Sequence, residues 1–115
     1  MNASLNLVVI RTSDLDRAAR FYGALGLALV RERHGAGPEH LAADLGGVVF
    51  EVYPQQEGQA TQGIRLGFRV ASVAAAVESA LGAGGTLVSA ARQSEWGVRA
   101  VITDPDGHRI ELVEG

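Results

Sequence analysis

Hydrophobic and polar positions along this chain switch between two periods, and the switches come in a repeating order. Residues 5–12 read as a strand, apolar on both faces at the centre through Leu7, Val8, Val9 and Ile10, as a well-covered strand is. Leu15, Ala18, Ala19, Tyr22 and Leu25 then recur at helical spacing, predicting a helix that Ser13 or Asp14 caps and Gly26 ends. With Ser13 as the cap, Asp16 takes the capping-box position, where Asp is weaker than Glu. Strands follow at 27–33, 39–45 and 48–53, with a loop at 34–38 and a two-residue hairpin turn at Gly46-Gly47. Residues 54–63, rich in Gln and Gly, form a linker-like segment.

The order then begins again. Ile64, Leu66, Phe68 and Val70 fall on one face of a strand, and Arg65, Gly67 and Arg69 on the other. Ser72 caps a second helix whose apolar stripe is Val73, Ala76, Val77, Ala80 and Leu81, and the glycines of 82–85 stop it. Strands are predicted at 86–90, 98–103 and 109–114. Between the last two, Asp104-Pro105-Asp106-Gly107 suits a type I turn closed by a glycine at positive φ, and His108 reads as a solvated residue just beyond it. In the final strand Ile110 and Leu112 share one face while Arg109, Glu111 and Val113 share the other. A carboxylate in the middle of a strand must face water, a partner or a ligand site, because an unpaired buried one is costly.

The chain is therefore an α+β domain, 1–115, of two tandem strand–helix–strand–strand–strand modules, about 1–53 and 64–115, joined by the linker 54–63. Asp14-Leu15 and Ser72-Val73 are 58 residues apart, and Phe50-Glu51-Val52 and Ile110-Glu111-Leu112 are 60 apart. The first shift sets Leu7 opposite Arg65. A duplicated unit that packs about a pseudo-twofold axis would bring Leu7, Glu51, Arg65 and Glu111 together.

Composition narrows the chemistry. Hydrophobic residues make up 47% and charged residues 20%, which places the chain among globular domains. The net charge is −3 with no Lys/Arg cluster, so nucleic acid and anionic membranes are poor partners. The absence of cysteine removes disulfides, thiolate catalysis and Cys-bound zinc. Neither a signal-peptide pattern nor a membrane-length apolar run is visible, so a soluble cytoplasmic protein is expected.

On its motifs the chain resembles the glyoxalase/bleomycin resistance protein/extradiol dioxygenase superfamily, also called vicinal oxygen chelate. The resemblance is carried by Asp14-Leu15 through Phe21-Tyr22 and Leu25-Gly26-Leu27, by the strand 64–70, and by Trp96-Gly97-Val98-Arg99, Asp104-Pro105-Asp106-Gly107 and Ile110-Glu111-Leu112. It implies βαβββ modules whose curled mixed sheets enclose a cavity, in small members commonly completed by a homodimer. Metal-dependent members place a His on the first strand, a Glu on the fourth, a His on the fifth and a Glu on the eighth. By position Glu51 and Glu111 match the carboxylates, but Leu7 and Arg65 stand where the two His are expected. Leu has no donor atom, and Arg stays protonated.

The implied protein is a metal-free small-molecule binder without a cofactor, with Leu7, Glu51, Tyr53, Arg65, Trp96, Arg99 and Glu111 around its ligand. Arg65 is expected to neutralise the two carboxylates, with a bidentate fork to Glu111 or Glu51. Arg69 shares the inferred ligand-facing side, and an inward set of arginines would favour an anionic or polar ligand. The three His do not rebuild a metal site, although His40 could reach the cavity. Two alternatives stay open: a glyoxalase-type lyase or isomerase using Glu51 or Glu111 as general base with Arg65 as electrophile, and a metabolite-binding accessory module for a partner protein.

Overall fold

The computed structural model describes residues 2–115. Its elements are β1 (Leu7–Thr12), α1 (Leu15–Ala24), β2 (Val30–Glu32), β3 (His40–Asp44), β4 (Val49–Pro54), β5 (Arg65–Val70), α2 (Val73–Gly82), β6 (Thr86–Ser94), β7 (Gly97–Thr103) and β8 (Arg109–Glu114). This is the α+β fold of two βαβββ modules that the repeat implies. The first module forms a four-stranded sheet in the order β1-β4-β3-β2, and the second repeats it as β5-β8-β7-β6. In each sheet the first and last strands of the module run parallel, and the other neighbours are antiparallel.

Both helices start where a side chain can satisfy a free backbone N–H. Asp14 accepts from the Arg17 N–H at 3.0 Å, and Ser72 from the Ala75 N–H at 3.2 Å. The helices touch each other, and each packs on the sheet of its own module. One hydrophobic core results. Ala18, Phe21 and Tyr22 from α1 and Val73, Ala76 and Ala80 from α2 meet Ile10, Leu41, Phe50, Val52, Ile102, Ile110 and Leu112 from the strands. Burying each large apolar side chain contributes about 1.5–3 kcal/mol. Tyr22 meets Phe50 edge-on at 5.2 Å and Phe68 at 6.3 Å, so this aromatic group joins the two modules.

Two strands differ from their sequence patterns. β2 is shorter than residues 27–33, because Leu27 and Leu29 pack on the core and the Leu27 N–H bonds back to the Tyr22 carbonyl at 3.0 Å. That stretch is the exit of α1 rather than strand. β6 runs on to Ser94, past residue 90, in a long hairpin with β7 that contains two register shifts. It is an edge strand exposed along most of its length, so it carries no alternation to read.

The turn between β7 and β8 fastens the second module to the first. Gly107 has φ +100, as expected for its place in the turn. His108, by contrast, is not solvated but completely buried, with 0% exposure. The reason is a satisfied polar network around Asp104, itself 3% exposed. Asp104 Oδ2 accepts from the Tyr22 hydroxyl at 2.5 Å and from His108 Nδ1 at 2.8 Å, while Oδ1 accepts from the backbone N–H groups of Asp106 and His108. On the far side of the ring, Thr61 Oγ1 lies 2.7 Å from His108 Nε2 and accepts from the Arg11 N–H at 2.9 Å. The Asp104 carboxylate can only accept, so His108 carries a proton on Nδ1, while Nε2 bonds with the Thr61 hydroxyl, which can donate or accept. Asp106 adds a second fastening, accepting from the Thr12 hydroxyl, from the Ser13 N–H and hydroxyl, and from Arg17.

The modules thus meet through their helices and this turn. No ladder joins the two sheets among the described residues: β1 and β5 are edge strands. Among the described residues no helix is long and apolar enough to cross a membrane.

Candidate functional site

Period-two alternation sorts each sheet into a helix-covered face and an open face. On the second sheet the helix side carries Ile110, Leu112, Ala100 and Ile102, all buried. Glu111, paired with Gly67 on β5 and Val101 on β7, points the other way with Arg65, Arg69 and Arg99. On the first sheet Leu41, Phe50 and Val52 are core. Glu51 and Tyr53 lie on the opposite face, where Glu51 pairs with Ala42.

The open face of the second sheet holds an ion-pair cluster. Arg99 directs both Nε, at 2.8 Å, and a terminal nitrogen at Glu111 Oε1, and Arg65 Nε lies 3.2 Å from Oε2. Both Glu111 oxygens are therefore engaged, and the doubled contact comes from Arg99 rather than Arg65. Arg69, Trp96, Arg99, Glu111 and Val113 line a shallow pocket of about 380 Å³ here. Trp96 stands in the turn between β6 and β7 and is 68% exposed.

The open face of the first sheet is organised around His40. Its ring stacks on Tyr53 with centroids 4.1 Å apart, and Arg11 lies over the Tyr53 ring at 5.2 Å. His40 Nε2 approaches Glu32 Oε1 at 3.2 Å and Glu51 Oε2 at 3.7 Å. Burial, followed by the negative charges of Glu51 and Glu32, pushes the Tyr53 hydroxyl above its ordinary range, so it is a neutral donor at any physiological pH. Hydrogen bonds from His34 and His40 outweigh partial desolvation and hold the Glu32 carboxyl below its ordinary range.

Of the residues the repeat grouped, Arg65 and Glu111 touch, and Arg99 joins them. Glu51 and Tyr53 sit on the other sheet with His40. Leu7 lies on the edge strand β1 and is 48% exposed. Between the β1 and β5 edges runs an apolar groove of about 790 Å³ lined by Val8, Phe50, Leu66 and Phe68, with Leu5, Leu45, Arg65 and Arg69 also contributing. A divalent metal at the superfamily position does not fit these side chains. Leu7 offers no donor, Arg65 brings a positive charge, and both oxygens of Glu111 are committed to guanidinium groups. The sequence reading left out the pairing of Glu32 and His34 with His40. The signal was the Glu32-x-His34 spacing, which puts both side chains on one side of an extended segment.

A glyoxalase-like domain model matches residues 7–113. Among solved structures, a glyoxalase-related enzyme from Fulvimarina pelagi is 27% identical over 97% of this chain and 88% of its own, with a TM-score of 0.79. Two others share the fold at lower identity. An antibiotic-binding protein from a Streptomyces species is 23% identical, covering 98% of this chain and 96% of its own with a TM-score of 0.77. A glyoxalase/bleomycin resistance protein from Albidiferax ferrireducens is 21% identical, covering 96% and 98% with a TM-score of 0.75. No curated protein matches the sequence. The chain belongs to the glyoxalase-like domain family, within the glyoxalase/bleomycin resistance/dioxygenase superfamily.

Proposed function

We propose that this protein binds a small aromatic acid without a metal at the superfamily's metal position. The observation that carries the reading is the second sheet's open face. Three guanidinium groups, Arg65, Arg69 and Arg99, stand against the single carboxylate Glu111 beside an exposed Trp96. Surplus positive charge selects an anion, Arg presents a planar fork suited to a carboxylate, and an indole gives an aromatic ring a surface to stack on. Glu111 then acts as a spacer that holds Arg65 and Arg99 in place, with each of its oxygens facing a guanidinium group. Uptake of an organic ligand also agrees with the antibiotic-binding relative, which shares the fold.

The binding unit in this reading is a homodimer. The unpaired β1 and β5 edges, with Leu5 and Leu7 exposed beside the apolar groove, are a surface that a second copy would cover. The open faces then close into cavities lined by both chains.

Trp96 is the sole tryptophan, so its fluorescence reports on this site alone. Titration with benzoate- and naphthoate-type acids is expected to quench it, and amine analogues of the same ring size are not. Arg99→Ala should weaken acid binding by roughly 10–100-fold, the loss expected for one charge-assisted hydrogen-bonding partner. Equal affinity for acids and amines, or unchanged affinity in Arg99→Ala, would sink the reading.

A further inference from the structure

The residues around His40 on the first sheet have the atoms, spacing and orientation of a metal-binding set. Glu32 ends β2 and pairs across the ladder with His40, which begins β3. His34 is two residues beyond Glu32, so it returns to the same side. Glu32 Oε1 is 3.1 Å from His34 Nε2 and 3.2 Å from His40 Nε2, and the three atoms all lie within 4.8 Å of one another. Donors held about 2.0–2.1 Å from a tetrahedral ion are separated by roughly 3.3 Å. The two Glu–His spacings already match one edge each of such a tetrahedron. His34 is exposed and free to swing the remaining distance.

The second observation concerns the orientation of His40. Its side chain is 1% exposed, its Nδ1 faces the Pro38 carbonyl at 3.1 Å, and Tyr53 stacks against the ring. A carbonyl can only accept, so Nδ1 carries a proton and Nε2 is the nitrogen aimed into the cluster. There it faces Glu32 Oε1 at 3.2 Å and the Tyr53 hydroxyl at 3.4 Å. A divalent ion between His40 Nε2 and Glu32 Oε1 would take the place of a proton shared by these two atoms. Bonding of the distal nitrogen to a backbone carbonyl is also how metal-ligating histidines are commonly oriented.

We infer that Glu32, His34 and His40 form a site for a divalent ion of the zinc class, on the open face of the first sheet. Two imidazoles and one carboxylate suit Zn²⁺, Ni²⁺ or Co²⁺ better than Mg²⁺ or Ca²⁺, which prefer all-oxygen shells. Three protein ligands leave a fourth position for water or an anion, with Glu51 Oε2 3.7 Å from His40 Nε2 as the neighbouring carboxylate. The three ligands include none of the four superfamily positions Leu7, Glu51, Arg65 and Glu111, of which only Glu51 lies beside the site, as a neighbour and not a ligand, and the assignment does not rest on the acid-binding reading.

The test is titration of untagged, chelator-treated protein with Co²⁺, read by visible absorption, followed by competition with Zn²⁺. The wild-type chain is expected to bind one Co²⁺ with a four- or five-coordinate spectrum, and Zn²⁺ is expected to displace it and raise the unfolding temperature. Glu32→Gln and His34→Ala change partly exposed positions, so the fold is retained while affinity falls by at least about tenfold. Arg99→Ala, on the other sheet, is expected to bind Co²⁺ as the wild type does. No Co²⁺ spectrum from the wild-type chain, or equal affinity in His34→Ala and Glu32→Gln, would overturn the assignment.

Discussion

Replacing Asp104 with alanine is expected to cost about 3–5 kcal/mol of folding stability, as removal of one partner from a buried charged network does. The carboxylate serves four donors at once: the Tyr22 hydroxyl, His108 Nδ1, and the backbone N–H groups of Asp106 and His108. Tyr22 and His108 are 1% and 0% exposed, so water cannot replace the lost acceptor at either without opening the core. Each buried donor left without a partner costs about 1–3 kcal/mol. The effect spans both modules, because Tyr22 lies on α1 and His108 opens β8. Urea unfolding followed by far-ultraviolet circular dichroism measures it. A loss below about 1 kcal/mol would mean that the cavity fills with water and that the network does not hold the modules together.

The same carboxylate sets an acid limit on the fold. Burial alone would raise its pKa, but hydrogen bonds from His108 and Tyr22, with the charge of His108, outweigh burial and hold it below the ordinary Asp range. The unfolded value is roughly 4. Because the folded value is the lower one, the stabilisation is fully present above the unfolded value and is lost as the pH falls through the folded value. Unfolding free energy should therefore decline below about pH 4 in the wild type. In Asp104→Asn, which keeps the shape but cannot ionise, that decline is expected to be shallower. Parallel pH profiles for the two proteins would place the acid sensitivity elsewhere.

Much of the architecture could be read from periodicity, because each half-buried strand and each helix facing a core repeats its apolar positions at its own period. β8 is the clearest case: Ile110 and Leu112 are core, and Glu111 faces away. The edge strand β6 is exposed on both sides, so its extension to Ser94 left no mark in the sequence. Polar networks are harder still, since their partners are distant along the chain. Asp104 and Tyr22 are 82 residues apart, and nothing local distinguishes a buried His108 from a solvated one. The candidate site lies between these cases. The repeat matched Glu51 with Glu111, yet the matched residues have different neighbours, two guanidinium groups for Glu111 and an imidazole for Glu51. A repeat fixes backbone equivalence, while ion pairing depends on the side chains that each copy has acquired since.

Phe21 and Gly85 are expected to be strongly coupled, and a double-mutant cycle between them measures how tightly the helical faces of the two modules close. Phe21 lies on α1 and is completely buried, and Gly85 lies where α2 gives way to β6. A Cβ at Gly85 would stand 2.7 Å from Phe21 Cε1 and 3.0 Å from the carbonyl oxygens of Ala80 and Thr103. Gly85→Ala should therefore cost about 1–3 kcal/mol by overpacking, and Phe21→Ala about 3–5 kcal/mol by leaving a cavity. Together they should cost less than their sum, because the new methyl enters the space the ring has left. The coupling should reach about 1 kcal/mol. It should not erase the cost of Gly85→Ala, since two of the three close atoms belong to the backbone and cannot swing aside. Additivity within about 0.5 kcal/mol would show that Phe21 and the turn from α2 into β6 are not in close contact in solution. Strong coupling would mean that the modules of one chain are locked from the helical side. The β1 and β5 edges would then remain as the places where another strand can add.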